Sequence, residues 1–280
     1  MKLKNLLATA LVGVMMLGAS LGVCAADYPE SYVQGTTYGV PTSEAINVTV
    51  TVEGLTTPYT EMNVSLPAKA NGGIQHVNDA LLAISNNSAL PVTFMQSATA
   101  AMDASTTYFS HVKYNDVVEG GSGQGYSGWC FRINGGFPSE REGWGASIAT
   151  ANINNGDVIG VYLDDPYTEA TSARFTRLTL NSYSANAVSV KVTESHQAID
   201  PETWAWTITP FINYNGVVVS LYAGTDTTAT PIKTATSVLG GVATFSGLNL
   251  ESGVYTLKTE PVKASTYIQS TTVTKTFTIE

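Results

Sequence analysis

The chain has 280 residues, with 13 basic and 22 acidic side chains and three histidines, for a net charge of −9. An acidic, lysine-poor surface lacks the positive charge that nucleic acids and anionic membrane surfaces require of a partner, which excludes both classes. Two cysteines, Cys24 and Cys130, cannot staple a chain of this size. Stability must therefore come from a buried apolar core, which this length supplies as two domains of ordinary size.

Residues 1–26 open with MKLKN, continue through the apolar run LLATALVGVMMLGASLGV and close on small residues. A basic start, an apolar stretch and a small-residue ending predict a secretory signal peptide, cut before Ala26 or Asp27. Leu21-Gly22-Val23-Cys24 offers a weak lipobox as one alternative, and retention of the apolar run as a membrane anchor is the other. With Lys2 and Lys4 removed, 13 basic residues become 11 against 22 acidic, a net of −11, and Cys130 is the one remaining cysteine. No later stretch is apolar enough to span a bilayer, so the expectation is an extracellular protein, secreted or cell-surface associated, with no membrane span after signal removal. Residues 27–44 carry Pro29 and Pro41 and few aliphatic side chains, which predicts a leader arm.

From residue 45 the pattern is mostly β. INVTVTVEG, VSVKVTE, GVVVSLYAG and TTVTKTFTI alternate with a period of two, as half-buried strands do. Four Asn-Gly pairs, at 71, 134, 155 and 215, mark tight turns, because both residue types tolerate positive φ. The stretch IQHVNDALLAIS is the exception: Val77, Ala80, Leu81 and Ile84 repeat at helical spacing and predict one amphipathic helix laid on a sheet. These signals divide the chain into a domain over 45–166 with strands and one helix, and an all-strand domain over 172–280. Between them the polar stretch DDPYTEATSA reads as a linker.

Motifs of catalysis fail in context. Gly123-Gln124-Gly125-Tyr126-Ser127-Gly128 matches GxGxxG but precedes a strand rather than opening a helix, so it reads as a Gly-rich loop. No GxSxG elbow occurs. His76, His111 and His196 lack the spacing of metal ligands. Asp164-Asp165 reads as a solvated strand end. Cys130 shares a strand face with Arg132, which could lower its pKa, but a lone strand cysteine is mostly a small apolar filler. With no nucleophile–base pair, the expectation is no enzyme, no catalytic residue, no metal site and no cofactor.

The stretch GWCFRINGGFP, followed by ANINNGDVIGVYLDD, resembles the transcobalamin-like C-terminal domain family of secreted Gram-positive proteins. Gly128-Trp129, Asn134-Gly135, Gly156-Asp157 and Ile159 match the family pattern, with Phe131, Ile133 and Val161 standing in for its Tyr, Val and Trp. The resemblance covers about residues 45–165 and implies a β-grasp-like domain, a sheet gripping one helix, with a cobalamin-like tetrapyrrole as a ligand. GVVVSLYAG, GGVATFSGL and SGVYTLKTE resemble the Ig-like or prealbumin-like modules of bacterial surface proteins, which implies a C-terminal β-sandwich.

The aromatic residues carry the functional expectation. Trp129, Phe131 and Ile133 share one strand face, and Cys130, Arg132 and Asn134 the other. The apolar face is expected to meet the helix, and Asn134-Gly135 to form a hairpin turn. Phe137 and Trp144 fall in a loop outside any strand pattern and, with Tyr126, are read as a binding rim beside that hairpin, with Trp144 folded back as a lid on the core as the equal alternative. The candidate ligand-binding set is therefore Tyr126, Trp129, Phe131, Asn134, Phe137 and Trp144. Its partner is expected to be a small molecule or a cell-surface protein or glycan; a purely structural or adhesive role is the alternative.

Overall fold

A computed structural model describes residues 43–120, 128–137, 147–166, 171–200, 202–203, 205–264 and 267–280. The signal peptide, nearly all of the leader arm, Tyr126 and Trp144 lie outside these residues. The chain is mostly β, with one α-helix among the described residues.

The first unit is built on β1 (Ile46–Glu53) and β2 (Thr60–Leu66), an antiparallel pair. Helix α1 (Val77–Ser85) follows, then β3 (Val92–Met95), β4 (His111–Tyr114), β5 (Val117–Gly120), β6 (Gly128–Ile133) and β7 (Val158–Asp164). The main sheet runs in the order β2-β1-β7-β6, with β1 and β7 parallel; β3, β4 and β5 form a separate small antiparallel sheet. Helix α1 starts where expected, at His76, whose backbone N–H donates to Asp79 at 2.7 Å. Val77, Ala80, Leu81 and Ile84 are all fully buried in the core that also holds Val48, Val50, Val52 and Ile159. Ser85 stitches the helix to the small sheet: its hydroxyl donates to Leu81 O and accepts from Phe94 N–H.

The Asn-Gly turn closes β6 as the sequence predicts. Asn134 and Gly135 both have positive φ, 54° and 79°, and Ile133 and Gly136 exchange two backbone bonds of 3.0 Å. That is the mirror-image two-residue turn whose twist matches a hairpin. The Asn134 side chain donates to Asp157 at 2.7 Å and accepts from Val158 N–H at 2.9 Å. The two sequence stretches that read as paired are thus joined at this point.

The second unit has β8 (Phe175–Tyr183), β9 (Ala187–Ile199), β10 (Trp206–Asn213), β11 (Val218–Ala223), β12 (Lys233–Thr236), β13 (Val242–Ser246), β14 (Gly253–Thr259) and β15 (Thr274–Ile279). One sheet holds β8, β9 and β10, with β13 on the first half of β9; the other runs β12-β11-β14-β15. Val190, Val192, Phe245, Leu221, Leu257 and Phe277 fill the space between them.

One expectation needs correction where the units meet: Asp164 is not a solvated strand end. Asp164 is 0% exposed and accepts from Ala173 N–H at 2.7 Å across the junction. Every residue of β7 is buried, because α1 covers one face of the sheet and the second unit covers the other. Several polar groups bond across the seam. Thr272 donates its N–H and its hydroxyl to Glu53, each at 2.7 Å, and Lys263 donates to Gly54 O at 2.5 Å. Ile268, from the 262–270 hairpin of the second unit, is buried in the first unit's core.

Gly160 records how closely the units approach, since a β-carbon there would stand 2.9 Å from the Phe175 ring. A glycine inside a strand commonly marks such a contact. Gly160→Val is therefore expected to destabilise the protein by roughly 1–3 kcal/mol, the usual cost of overpacking, read as a lower calorimetric Tm. An unchanged Tm would mean that the seam is looser than described.

Candidate functional site

Strand β6 pairs only with β7 among the described residues. An open cleft of about 380 Å³ touches Trp129, Cys130 and Phe131 in succession. Successive strand side chains point to opposite faces, so a cleft touching three of them must run along the strand's edge. Five aromatic rings line it: Tyr108, Phe109, Trp129, Phe131 and Phe137. Thr107, Ser147 and Gln197 add neutral polar groups, and Ile148 completes the described lining, which contains no charged side chain.

Each wall has its own support. Trp129 is 3% exposed and donates its indole N–H to Glu119 O at 3.0 Å. Glu119 in turn accepts from the N–H groups of Leu55, Thr56 and Thr57, at 2.6, 3.2 and 2.8 Å. Burial alone would raise the Glu119 pKa, but the hydrogen bonds from Thr57 and Thr56 outweigh it and hold the carboxyl below its usual range. Phe109 meets Phe94 edge to face at 5.6 Å. Tyr108, by contrast, is 60% exposed.

Three of the six predicted site residues, Trp129, Phe131 and Phe137, line this one cleft. Trp129 and Ile133 also join the helix-side core, with Phe131 packed against it, as the face alternation predicts. Asn134 is buried in its turn and does not line the cleft. Phe137 is not the exposed loop aromatic expected from its neighbours: it is 4% exposed and lies over the Arg132 guanidinium, 3.7 Å from ring centroid to Cζ. A cation beneath the ring holds it down where sequence context suggested a free rim. Tyr126 and Trp144 fall outside the described residues.

Tyr108, Phe109 and Gln197 were missed in the sequence. STTYFS carries no strand or helix period, so nothing marked Tyr108 and Phe109 as neighbours of β6. Gln197 comes from the second unit and reaches Asp164 at 3.3 Å; only the tertiary fold brings it here.

Cys130 lies between Arg132 and Asp164 in its electrostatics, with opposite effects on its thiol. Burial, reinforced by the Asp164 carboxylate, pushes its thiol far up, and the opposing pull of Arg132 is smaller. The influence of Arg132 expected from the shared strand face exists, but it loses to desolvation. Among the described residues no group of three or more His, Cys, Asp or Glu side chains could hold a metal ion, and no helix is long and apolar enough to cross a membrane. No protein-family model, curated protein or solved structure matches this chain.

Proposed function

We propose that this is a secreted or cell-surface, non-catalytic binding protein whose ligand enters the aromatic cleft along β6. The observation that carries this reading is the convergence of five aromatic rings on one open cleft with no charge in its described lining. Small-molecule sites are typically concave, largely apolar and furnished with a few polar groups that fix orientation, within a range of ~300–1,000 Å³. An uncharged aromatic lining favours a flat ring that can stack on it over an anion. The face or edge of a cobalamin-like tetrapyrrole fits that chemistry, in line with the resemblance of 45–165 to transcobalamin-like domains. On this reading the first unit is β-grasp-like and the second an Ig-like sandwich.

The test is fluorescence titration of the chain from residue 27 with cobalamin and with cobinamide, because Trp129 lines the cleft and would be quenched. Saturable quenching below about 50 µM is the expected result. No saturable change in a folded sample would remove the tetrapyrrole from the proposal.

A structural or adhesive role is the second reading. It is favoured by the buried seam, in which Glu53, Asp164 and Lys263 each bond across the junction. Such a joint suits a stiff two-unit projection as well as a binding site. Failure of every surface partner and small molecule to bind, with the seam intact, would favour this reading.

A further inference from the structure

Arg132 is the largest fully buried side chain among the described residues, 0% exposed at the junction of the two units. Its guanidinium lies between the rings of Phe137, at 3.7 Å, and Phe175 of the second unit, at 4.6 Å. Nε donates to the Tyr162 hydroxyl at 2.9 Å, Nη1 to Gly135 O at 3.3 Å, and Nη2 crosses the junction to Ser195 O at 2.9 Å. The residue is thus held by both units, and one of the two rings it holds is a wall of the cleft. Two residues beyond Ser195, Gln197 brings the second unit's amide into the same cleft, where it also reaches Asp164. A buried guanidinium is costly unless its planar donors and faces are all used, and here they are spread over two rings and three oxygens.

Building on the cleft as the binding site, we propose that Arg132 is its positioning residue: by clamping Phe137 on one face and the second unit on the other, it makes the cleft a joint site of both units. The second unit is then a working wall rather than a spacer. Occupancy of the cleft and docking of the units are linked, so a ligand that holds Phe137 and Gln197 in place also tightens the seam.

Two readouts on the chain from residue 27 test this. The first is affinity for cobinamide and for the neutral dye N-phenyl-1-naphthylamine in wild type, Arg132→Met, Arg132→Lys and Gln197→Leu, with Ile84→Val as a destabilised control far from the seam. Arg132→Met and Arg132→Lys are each expected to weaken binding at least about tenfold. Lysine keeps the charge but cannot stack on two rings and reach Ser195 together. Gln197→Leu should weaken binding as well, and Ile84→Val should not. The second readout needs no ligand: the hydrogen-exchange rate of the Thr272 amide, which bonds Glu53 across the seam, expected to rise at least about tenfold in Arg132→Met as the seam opens.

Unchanged affinity and unchanged exchange in Arg132→Met would overturn the proposal, as would full rescue of both by lysine. If wild type binds neither compound, the binding reading falls. The exchange rates of the Thr272 amide then still decide whether Arg132 couples the units: a rise supports the clamp and no rise removes it.

Discussion

The stability of this protein should rise as the pH falls from 8 to 5. Glu61 is pushed up to about 7 and Asp164 to about 6, each chiefly by burial, and Glu53 is raised by the same cause against the hydrogen bonds from Thr272. A carboxyl whose pKa is higher in the folded than in the unfolded state binds more protons when folded. Its stabilisation is complete below the unfolded pKa, near 4.5 for Glu61, and is lost as pH rises through the folded value. For Glu61 alone the difference between 4.5 and about 7 corresponds to roughly 3 kcal/mol. Its partners are Tyr59 at 3.2 Å and Thr274 at 3.4 Å, the latter from the second unit, while Oε1 is buried without a partner. Below about pH 4.5 the direction reverses, because Glu119 is held below its usual range and loses its bonds on protonation. Calorimetry at pH 5, 6, 7 and 8 checks this, with Glu61→Gln expected to flatten the profile. A Tm that climbs steadily from pH 5 to pH 8 would contradict it.

The largest single-residue loss outside the cleft is expected at Asp164. Removing its carboxylate leaves the buried Ala173 N–H and the Gln197 amide without their acceptor, and leaves the Arg132 charge without the carboxylate that stabilises it. Stripping one member from such a buried set costs about 3–5 kcal/mol. Asp164→Ala should therefore shift urea unfolding strongly, and Asp164→Asn less, since the amide oxygen can still accept from Ala173. Asp165→Ala, one position away on a partly buried side chain, provides the comparison. Equal costs for Asp164→Ala and Asp165→Ala would show that the seam does not depend on this group.

These two expectations arise where the sequence was hardest to read. The amphipathic helix was legible because Val77, Ala80, Leu81 and Ile84 encode its buried stripe locally. The hairpin was legible because Asn134-Gly135 accepts the positive φ that the turn demands. The other face of the main sheet was not legible, because what covers it is distant in sequence. Arg132, Asp164 and Glu53 look like surface residues until β8, β9 and the 262–270 hairpin are placed against them. One local clue existed: Val158 to Leu163 carries no polar group but the Tyr162 hydroxyl, and a strand without alternation is commonly buried on both faces. The cleft was half legible. Trp129 and Phe131 stood out by residue type and strand position. Tyr108, from an irregular segment, and Gln197, from the other unit, reach it only through the fold.

Tyr108 offers the most direct measurement of the central claim, because it is exposed and its removal should not disturb the core. Titration of wild type and Tyr108→Ala with cobinamide and N-phenyl-1-naphthylamine compares affinities in two folds of equal stability. Saturable quenching in wild type, weakened at least about fivefold in Tyr108→Ala at an unchanged Tm, is the predicted result, in keeping with the ~1 kcal/mol that ring–ring contacts contribute. Equal affinities in the two proteins would place the ligand elsewhere and contradict the assignment of this cleft.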